Sequence, residues 1–324
     1  MAKEKLNKLR QQIDSIDNEI LDLLNKRAEV VVGVGKAKEV GDGTFYVPSR
    51  EKAIYERLTA QNDGPFPNDA VVKVFREIIS ASLNMEMPMK VAFFGPQATF
   101  THMAAMQQFG LSAQLVPLKS IPSVFEEVER GRAHYGVVPV ENSTEGVVNH
   151  TLDMFIGSEL QVVAEIMLEI SHNLLSKTGN IEQISKIVSH PQALAQCRNW
   201  FEENMADTPL VDVASTAAAA QLAAEDESAA AIASEAAVVQ YGLKVVKAKI
   251  EDNPNNFTRF LVIGKKTPEK SGNDKTSIMF SVKDEPGILS RMLEPFSKRH
   301  INLSKIESRP MKQKAWEYIF FLDL

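Results

Sequence analysis

The chain has 324 residues, 44% hydrophobic and 24% charged, with 36 Lys and Arg against 42 Asp and Glu for a net charge of -6. That length suits two or three globular domains, and the acidic balance argues against a nucleic-acid binder, which carries a basic surplus. No stretch reaches the roughly 18 uncharged apolar residues of a membrane span, the opening MAKEKLNKLRQQ has no apolar secretory core, and the one cysteine, Cys197, sits in an Ala/Leu-rich helical pattern as expected buried filler in a reducing cytoplasm.

Residues 1–88 read as all helix. Leu6, Leu9, Ile13, Ile16, Ile20, Leu23, Val30 and Val34 recur at spacings of three and four, which is the period of one helix face. The pattern runs without a proline and predicts an unusually long helix ending near Gly41-Asp42-Gly43. Ser49 is expected to cap a second helix, with Glu51 in its first turn. Asn68 or Asp69 is expected to cap a third, which Pro88 closes. A long helix with two short partners buries its stripe poorly alone, so a homodimer is expected.

The register 6, 13, 20 lands next on Arg27. An arginine on an apolar stripe either snorkels to water or faces a ligand. Arg10 and Lys38 share a flanking line but lie roughly 42 Å apart along the helix at 1.5 Å per residue. An antiparallel partner would bring Arg10 of one subunit close to Arg27 and Lys38 of the other. The spacing therefore predicts a cationic site shared across a dimer and a dicarboxylate ligand, because guanidinium forks bind carboxylates bidentately.

The segments LRQQIDSIDNEILDLLNKRAEVVVGVGKAK, SREKAIYERL and ISASLNMEM resemble the all-helical chorismate mutase family. The resemblance implies that Arg10 (from the partner chain), Arg27 and Arg50 hold the two carboxylates of chorismate. It implies that Lys38 and Glu86 approach the ether oxygen, that Glu51 receives the ring hydroxyl and that Ser82 lines the site. Val47 stands where some members carry Asp, which leaves any hydroxyl contact there to backbone. A pericyclic rearrangement needs no nucleophile, metal or cofactor. Catalysis would come from holding a compact conformer and from cations facing charge that develops on the ether oxygen.

Residues 89–265 change period. Strands are predicted at MKVAFF, 136–140, 162–168, 186–190, 229–233 and 258–264. Helices are predicted at 101–109 and near 120–131, 147–156, 191–205, 215–225 and 233–241. The alternation implies α/β units on a mainly parallel sheet, with ligands at strand C-terminal ends. Polar clusters fall at such ends: GPQATFT (95–101), ENSTEG (141–146), SHPQA (189–193), AST (214–216) and NNFTRF (255–260). Singly, Ser215 or Thr216 reads as a helix cap and His190 as a helix-start residue. No His/Cys/Asp set has metal-ligand spacing, and no Ser-His-acid elbow or phosphate loop is present.

In this order the clusters resemble prephenate dehydratase, most specifically at VPVENSTEG and TRF. The implied fold is a two-lobed α/β domain similar to periplasmic solute-binding proteins. The implied reaction is decarboxylative dehydration of prephenate to phenylpyruvate, again without a cofactor. Thr258 matches the family's essential threonine and would assist the departing hydroxyl; Glu141 is either an acid or an orienter. Thr99, Asn142, Ser143, Thr144, His190, Gln192 and Thr216 would bind the carboxylates and keto group. Arg259 and Phe260 complete the substrate-binding motif. Arg259 should alternate away from Thr258 on a strand and could serve to fix the cleft instead.

Residues 266–275 are polar, with Pro268 and Gly272, and read as a linker. Residues 276–324 read as strand, helix, strand, strand and resemble the ACT regulatory domain, an α+β ferredoxin-like fold. PGIL (286–289) and ESRP (307–310) match its effector motifs. They imply L-phenylalanine as effector, held by Gly287, Ile288, Leu289, Glu307, Ser308 and Arg309. The chain stops at Leu324 with this fold half complete, so IFFL (319–322) is expected to be an exposed strand prone to pairing. The whole resembles a multidomain, cytoplasmic, bifunctional enzyme of phenylalanine biosynthesis. A non-catalytic amino-acid sensor on a two-lobed fold would explain the polar strand ends, but not Arg27 or the long helix. A helical module fused to an unrelated hydrolase lacks its nucleophile.

Overall fold

The computed structural model describes every residue except Met1, 40–45, Glu145, Asn273, Asp284 and 311–316, and the side chains of Lys38, Glu39 and Glu317. The chain divides into two compact units, Met1–Pro268 and Glu269–Leu324.

Helix α1 (Ala2–Glu39) runs 38 residues; its expected stop at Gly41-Asp42-Gly43 lies outside the described residues. The stripe from Leu6 to Val34 is 42–67% exposed within one chain. Among the described residues, the first half of α1 is exposed throughout and the second half packs on helix α3. Helix α2 (Pro48–Ala60) starts with Val47 at its N-cap and no side-chain cap. Ser49 therefore lies inside the helix and does not cap it. Pro48 explains the shift, because a proline at the first position lacks the orphan N–H and presets φ. Helix α3 (Asn68–Glu86) likewise has Pro67, not Asn68 or Asp69, at its N-cap. Asn68 is occupied elsewhere: its Oδ1 accepts from Asn62 Nδ2 at 2.7 Å. The helix stops before Pro88 as expected.

The α/β part is two sheets, not one mainly parallel sheet. The first lobe uses β1 (Lys90–Phe94), helix α4 (Phe100–Phe109), β2 (Gln114–Leu118), helix α5 (Ile121–Glu129), β3 (Tyr135–Asn142), the short β4 (Gly146–Val147), helix α6 (Asn149–Phe155) and β5 (Gln161–Glu169). The second holds β6 (Asn173–Ser176), β7 (Lys186–Ser189), helices α7 (Pro191–Ala195) and α8 (Arg198–Asn204), β8 (Leu210–Asp212), helix α9 (Thr216–Glu225), β9 (Ala229–Ala233), helix α10 (Ala236–Tyr241) and β10 (Lys244–Lys247). The chain then returns to the first lobe as β11 (Phe257–Gly264), giving orders β2-β1-β3-β11-β5 and β10-β6-β9-β7-β8. Because β11 re-enters from the other lobe, it runs antiparallel to both β3 and β5. Two crossings, 170–172 and 248–256, join the lobes.

The predicted helix over 191–205 is two helices broken at Gln196 and Cys197. Cys197 is fully buried and free, and burial raises its thiol pKa well above the usual range. In the second lobe Ala229–Ala233 is entirely buried, with Ala229, Ala231 and Ala233 packed in one cluster with Ala219, Ala220 and Ala223 of α9. Small residues on both sides let the helix lie close to the sheet, and they give little periodic signal.

The helical segment docks on the first lobe. Tyr46 is buried against Phe109 and Tyr135, each ring centroid 5.1 Å away. Ser80 Oγ donates to the Phe109 carbonyl at 2.6 Å, and Glu77 Oε2 accepts from the Leu111 amide at 3.0 Å. Gly110, at φ 71°, sits where a Cβ would lie 2.5 Å from Ser80 Cβ. The left-handed backbone and the close approach both require glycine there.

In the second unit β12 (Ser277–Lys283), helix α11 (Ile288–Lys298), β13 (Lys305–Pro310) and β14 (Glu317–Asp323) form a sheet of order β12-β14-β13. The expectation for IFFL is overturned. It lies in the central strand, paired on both sides, with Ile319 and Leu322 buried. The edges are β12 and β13.

Candidate active sites

In the helical segment, three predicted residues come together where α1 crosses α3. Arg27 Nη1 donates to Ser82 Oγ. The Ser82 hydroxyl donates to the Ile78 carbonyl at 2.6 Å, so its oxygen is left to accept. Glu86 lies one turn beyond Ser82. Gly35 of α1 admits it, since a Cβ there would meet Glu86 Cγ at 3.3 Å. Burial lowers the Arg27 pKa, and the Glu86 carboxylate opposes that shift. A partly desolvated guanidinium facing a carboxylate is a poor structural filler and a good anion receptor.

The remaining helical residues are dispersed. Arg10 is exposed on α1, roughly 26 Å along the axis from Arg27, so one chain does not bring them together. Arg50 is exposed in the first turn of α2. The Lys38 side chain lies outside the described residues. Glu51 is partly buried and accepts from Tyr55 Oη at 3.4 Å. Burial pushes its carboxyl pKa up to about 7, opposed by the Tyr55 hydrogen bond and by Arg76. Tyr55 and Arg76 were missed from sequence. Arg76 interrupts the apolar run Phe75, Ile78, Ile79 of α3, the same kind of signal that exposed Arg27.

Glu51 therefore binds a proton in the folded chain over a range where the unfolded chain has lost it. The stability this provides is complete below the unfolded pKa of about 4.5 and is lost as pH rises to about 7, an effect of about 3 kcal/mol. Glu51→Gln should remove that slope. Melting of the wild type is expected to fall by roughly 5–10 °C relative to Glu51→Gln between those pH values; calorimetry at both pH values checks it.

A cleft of about 680 Å³ opens between the two lobes. Thr99, Asn142, Thr258 and Phe260 line it from the first lobe; His190, Gln192 and Thr216 line it from the second. Thr99 caps α4, its Oγ accepting the His102 amide at 3.3 Å. Ser215 caps α9, accepting the Ala218 amide at 3.0 Å, and Thr216 opens the helix beside it. His190 caps α7 through Nδ1. The N-termini of two ten-residue helices, α4 and α9, thus face the cleft from opposite lobes, and helix N-termini favour anions.

Ser143, Thr144, Glu141 and Arg259 are not among the lining residues. Ser143 ties the end of β3 to the start of β11: its Oγ donates to the Asn255 carbonyl at 3.2 Å and accepts from the Phe257 amide at 2.9 Å. Glu141 pairs in register with Arg259, as Asn142 does with Thr258. Arg259 Nε donates to Glu165 at 2.8 Å, and Nη1 lies 4.0 Å from Glu141. Strand alternation carries Glu141 and Arg259 to the face opposite Thr258.

A side-chain network, buried at Asn142, Asn256, Thr258 and His172 and exposed at Thr144, supports the cleft floor. Asn142 Nδ2 donates to Thr258 Oγ1 at 2.8 Å and to Asn256 Oδ1 at 2.9 Å. Thr144 Oγ1 donates to Asn142 Oδ1 at 2.5 Å and accepts from Gln196 Nε2 at 3.3 Å. Gln196 Oε1 accepts from Asn256 Nδ2 at 3.1 Å and contacts His172 Nε2 at 2.7 Å. Sequence reading missed Gln196, Asn256 and His172. Asn256 lay inside the NNFTRF cluster. Gln196 was hidden inside an apparently continuous helix, and His172 is a lone residue between strands.

Family models match the chain as chorismate mutase type II over 9–87, prephenate dehydratase over 91–268 and ACT domain over 276–324. A bifunctional chorismate mutase/prephenate dehydratase of Aquifex aeolicus is 51% identical over 99% of this chain and 90% of its own length. That of Neisseria gonorrhoeae is 45% identical over 97% and 87%. A prephenate dehydratase of Arthrobacter aurescens, solved in complex with L-Phe, is 37% identical with a TM-score of 0.68, covering 72% of this chain and 80% of that one. The Staphylococcus aureus prephenate dehydratase is 32% identical with a TM-score of 0.61, covering 72% and 89%.

Proposed function

The chain belongs to the bifunctional chorismate mutase/prephenate dehydratase family, and from that premise we propose which residues carry its two reactions. The enzyme rearranges chorismate to prephenate and converts prephenate to phenylpyruvate.

The mutase site is built by two copies of the chain. Arg27, Ser82, Glu86, Arg50 and Lys38 come from one subunit and Arg10 from the other. The exposed apolar stripe of α1 supports this reading, since two antiparallel copies would bury it. Arg10, Arg27 and Arg50 clamp the substrate carboxylates and hold the reactive conformer. Lys38 and Glu86 face the ether oxygen as its bond breaks, and Glu51 receives the ring hydroxyl.

The dehydratase site is the interlobe cleft. The observation that carries this reading is the convergence of Thr258 and two helix N-termini on one cavity. A dianionic substrate fits with carboxylates at the α4 and α9 termini, near Thr99 and Thr216, and its keto group toward His190 and Gln192. The ring carboxylate leaves as CO2; its bonding pair enters the ring as the C4–O bond breaks, and the departing hydroxyl takes a proton to leave as water. Thr258 Oγ1 accepts from Asn142. No hydrogen bond donated by Thr258 is found among the described residues, so its hydrogen serves the departing oxygen. Asn142, Ser143 and Thr144 hold Thr258 and the strand end in place; Arg259 fixes Glu141 and Glu165 behind the sheet, and Phe260 packs under the ring.

L-Phenylalanine is the effector of the second unit. Gly287, Ile288 and Leu289 open α11, Gly287 in the left-handed region at φ 76°; Glu307, Ser308 and Arg309 lie on edge strand β13. The L-Phe complex of the Arthrobacter relative supports this assignment. A cytoplasmic setting suits the free, buried Cys197. Adding chorismate to the purified protein tests the whole reading. Chorismate absorbance should decay and phenylpyruvate should appear in alkali; decay without phenylpyruvate would remove the dehydratase assignment.

A further inference from the structure

We propose that His172, in the first interlobe crossing, is a positioning residue of the dehydratase site that reinforces the direction of hydrogen-bond donation along the chain ending at Thr258. This rests on the reading of Thr258 as donor to the departing hydroxyl. His172 is 2% exposed and lines the cleft. Among the described residues its Nδ1, shielded from solvent, has no hydrogen-bond partner, while its Nε2 lies 2.7 Å from Gln196 Oε1. Burial depresses the ring's pKa, outweighing the Gln196 hydrogen bond and the Glu251 carboxylate that oppose it. The neutral ring has one proton, and Gln196 Oε1 is the available acceptor. The proton therefore sits on Nε2.

That tautomer reinforces an orientation that the Asn256 amide at Gln196 Oε1 and the Thr144 backbone amide at Asn142 Oδ1 also hold. With Oε1 held by His172 and Asn256, the Gln196 amide hydrogens turn to Thr144 Oγ1. Thr144, already accepting, donates to Asn142 Oδ1. The Asn142 amide group then faces Thr258 as a donor. Each group receives from the residue before it and donates to the next, so Thr258 ends the series with its own hydrogen unused. Aligned hydrogen bonds polarise one another. The bare Nδ1 is a buried unsatisfied group, which costs roughly 1–3 kcal/mol and calls for an explanation in function. Holding the ring neutral with its proton on Nε2 is that explanation.

Three variants separate this role from packing. Gln places a donor nitrogen near the position of His Nε2, Asn reaches only that of Nδ1, and Phe keeps the ring without either. His172→Gln should keep dehydratase kcat within about threefold, whereas His172→Asn and His172→Phe should lose roughly 10- to 100-fold in kcat with little change in KM. His172→Phe should melt no lower than wild type, because it removes the unpaired nitrogen. Mutase activity should be unchanged in all three. Nitrogen NMR of the ring should report the Nε2–H tautomer. Asn rescuing where Gln fails, an Nδ1–H ring, or parallel losses of melting temperature and both activities would each overturn the proposal. If Thr258→Ala retained dehydratase activity, the parent reading would fall instead.

Discussion

Thr258→Ala is expected to lower dehydratase turnover by about a thousandfold and leave chorismate rearrangement untouched. The hydroxyl accepts from Asn142 Nδ2 at 2.8 Å, and no hydrogen bond that it donates is found among the described residues. Positioned proton donation contributes typically 10²–10⁴-fold, and replacement by methyl also leaves Asn142 Nδ2 short of one acceptor. Thr258→Ser keeps the hydroxyl and should recover most of the rate. The residues proposed for the mutase site, on α1 to α3, include none that line the cleft, so mutase activity serves as the internal folding control. The measurement is phenylpyruvate formed from prephenate beside chorismate consumed by the same preparation. Near-normal dehydratase turnover in Thr258→Ala would end the assignment.

On the proposed assignment, Arg10→Ala and Arg27→Ala should each cost mutase activity at least about a hundredfold, since each would remove a charge that clamps the substrate carboxylates. The informative experiment mixes them. In a two-fold dimer each site takes Arg10 from one chain and Arg27 from the other. A heterodimer of the two variants then holds one site with both arginines intact and one with neither. Random assortment makes about half the dimers mixed, so co-expressed variants should regain about one quarter of wild-type mutase activity. Two inactive parents giving an inactive mixture would show that the arginines do not act across subunits. Dehydratase activity should stay constant through the series.

Much of this protein was legible in sequence because it is written in period and local motif. The three- and four-residue spacing of Leu6 to Val34 predicted α1, and its unburied stripe explains why one chain leaves it exposed. The switch at Met89 and the short apolar strands predicted an α/β part, on a mainly parallel sheet; the two lobes were implied only by the resemblance to prephenate dehydratase. Most of the candidate residues in the polar clusters at strand ends do line one cavity. The resemblance of the same motifs to two enzyme families supplied what periodicity does not, the identity of the substrates.

Other features depended on groups far apart in the chain. No local pattern states that β11 returns from the second lobe to run antiparallel between β3 and β5, or that IFFL is a central strand; pairing partners decide both. Ser49 and Asn68 have capping chemistry, yet Pro48 and a loop contact to Asn62 displaced them. Composition cannot supply the raised pKa of Glu51, because burial in the folded chain raises it against the opposing Tyr55 hydrogen bond and Arg76 charge. The direction of donation into Thr258 needs Asn142, 116 residues away. Sequence determined which faces would be apolar and which ends polar, since those follow from helix and strand geometry. Tertiary structure decided which polar atoms are dry and which way their hydrogens point, since desolvation and hydrogen-bond direction depend on what the fold packs against each group.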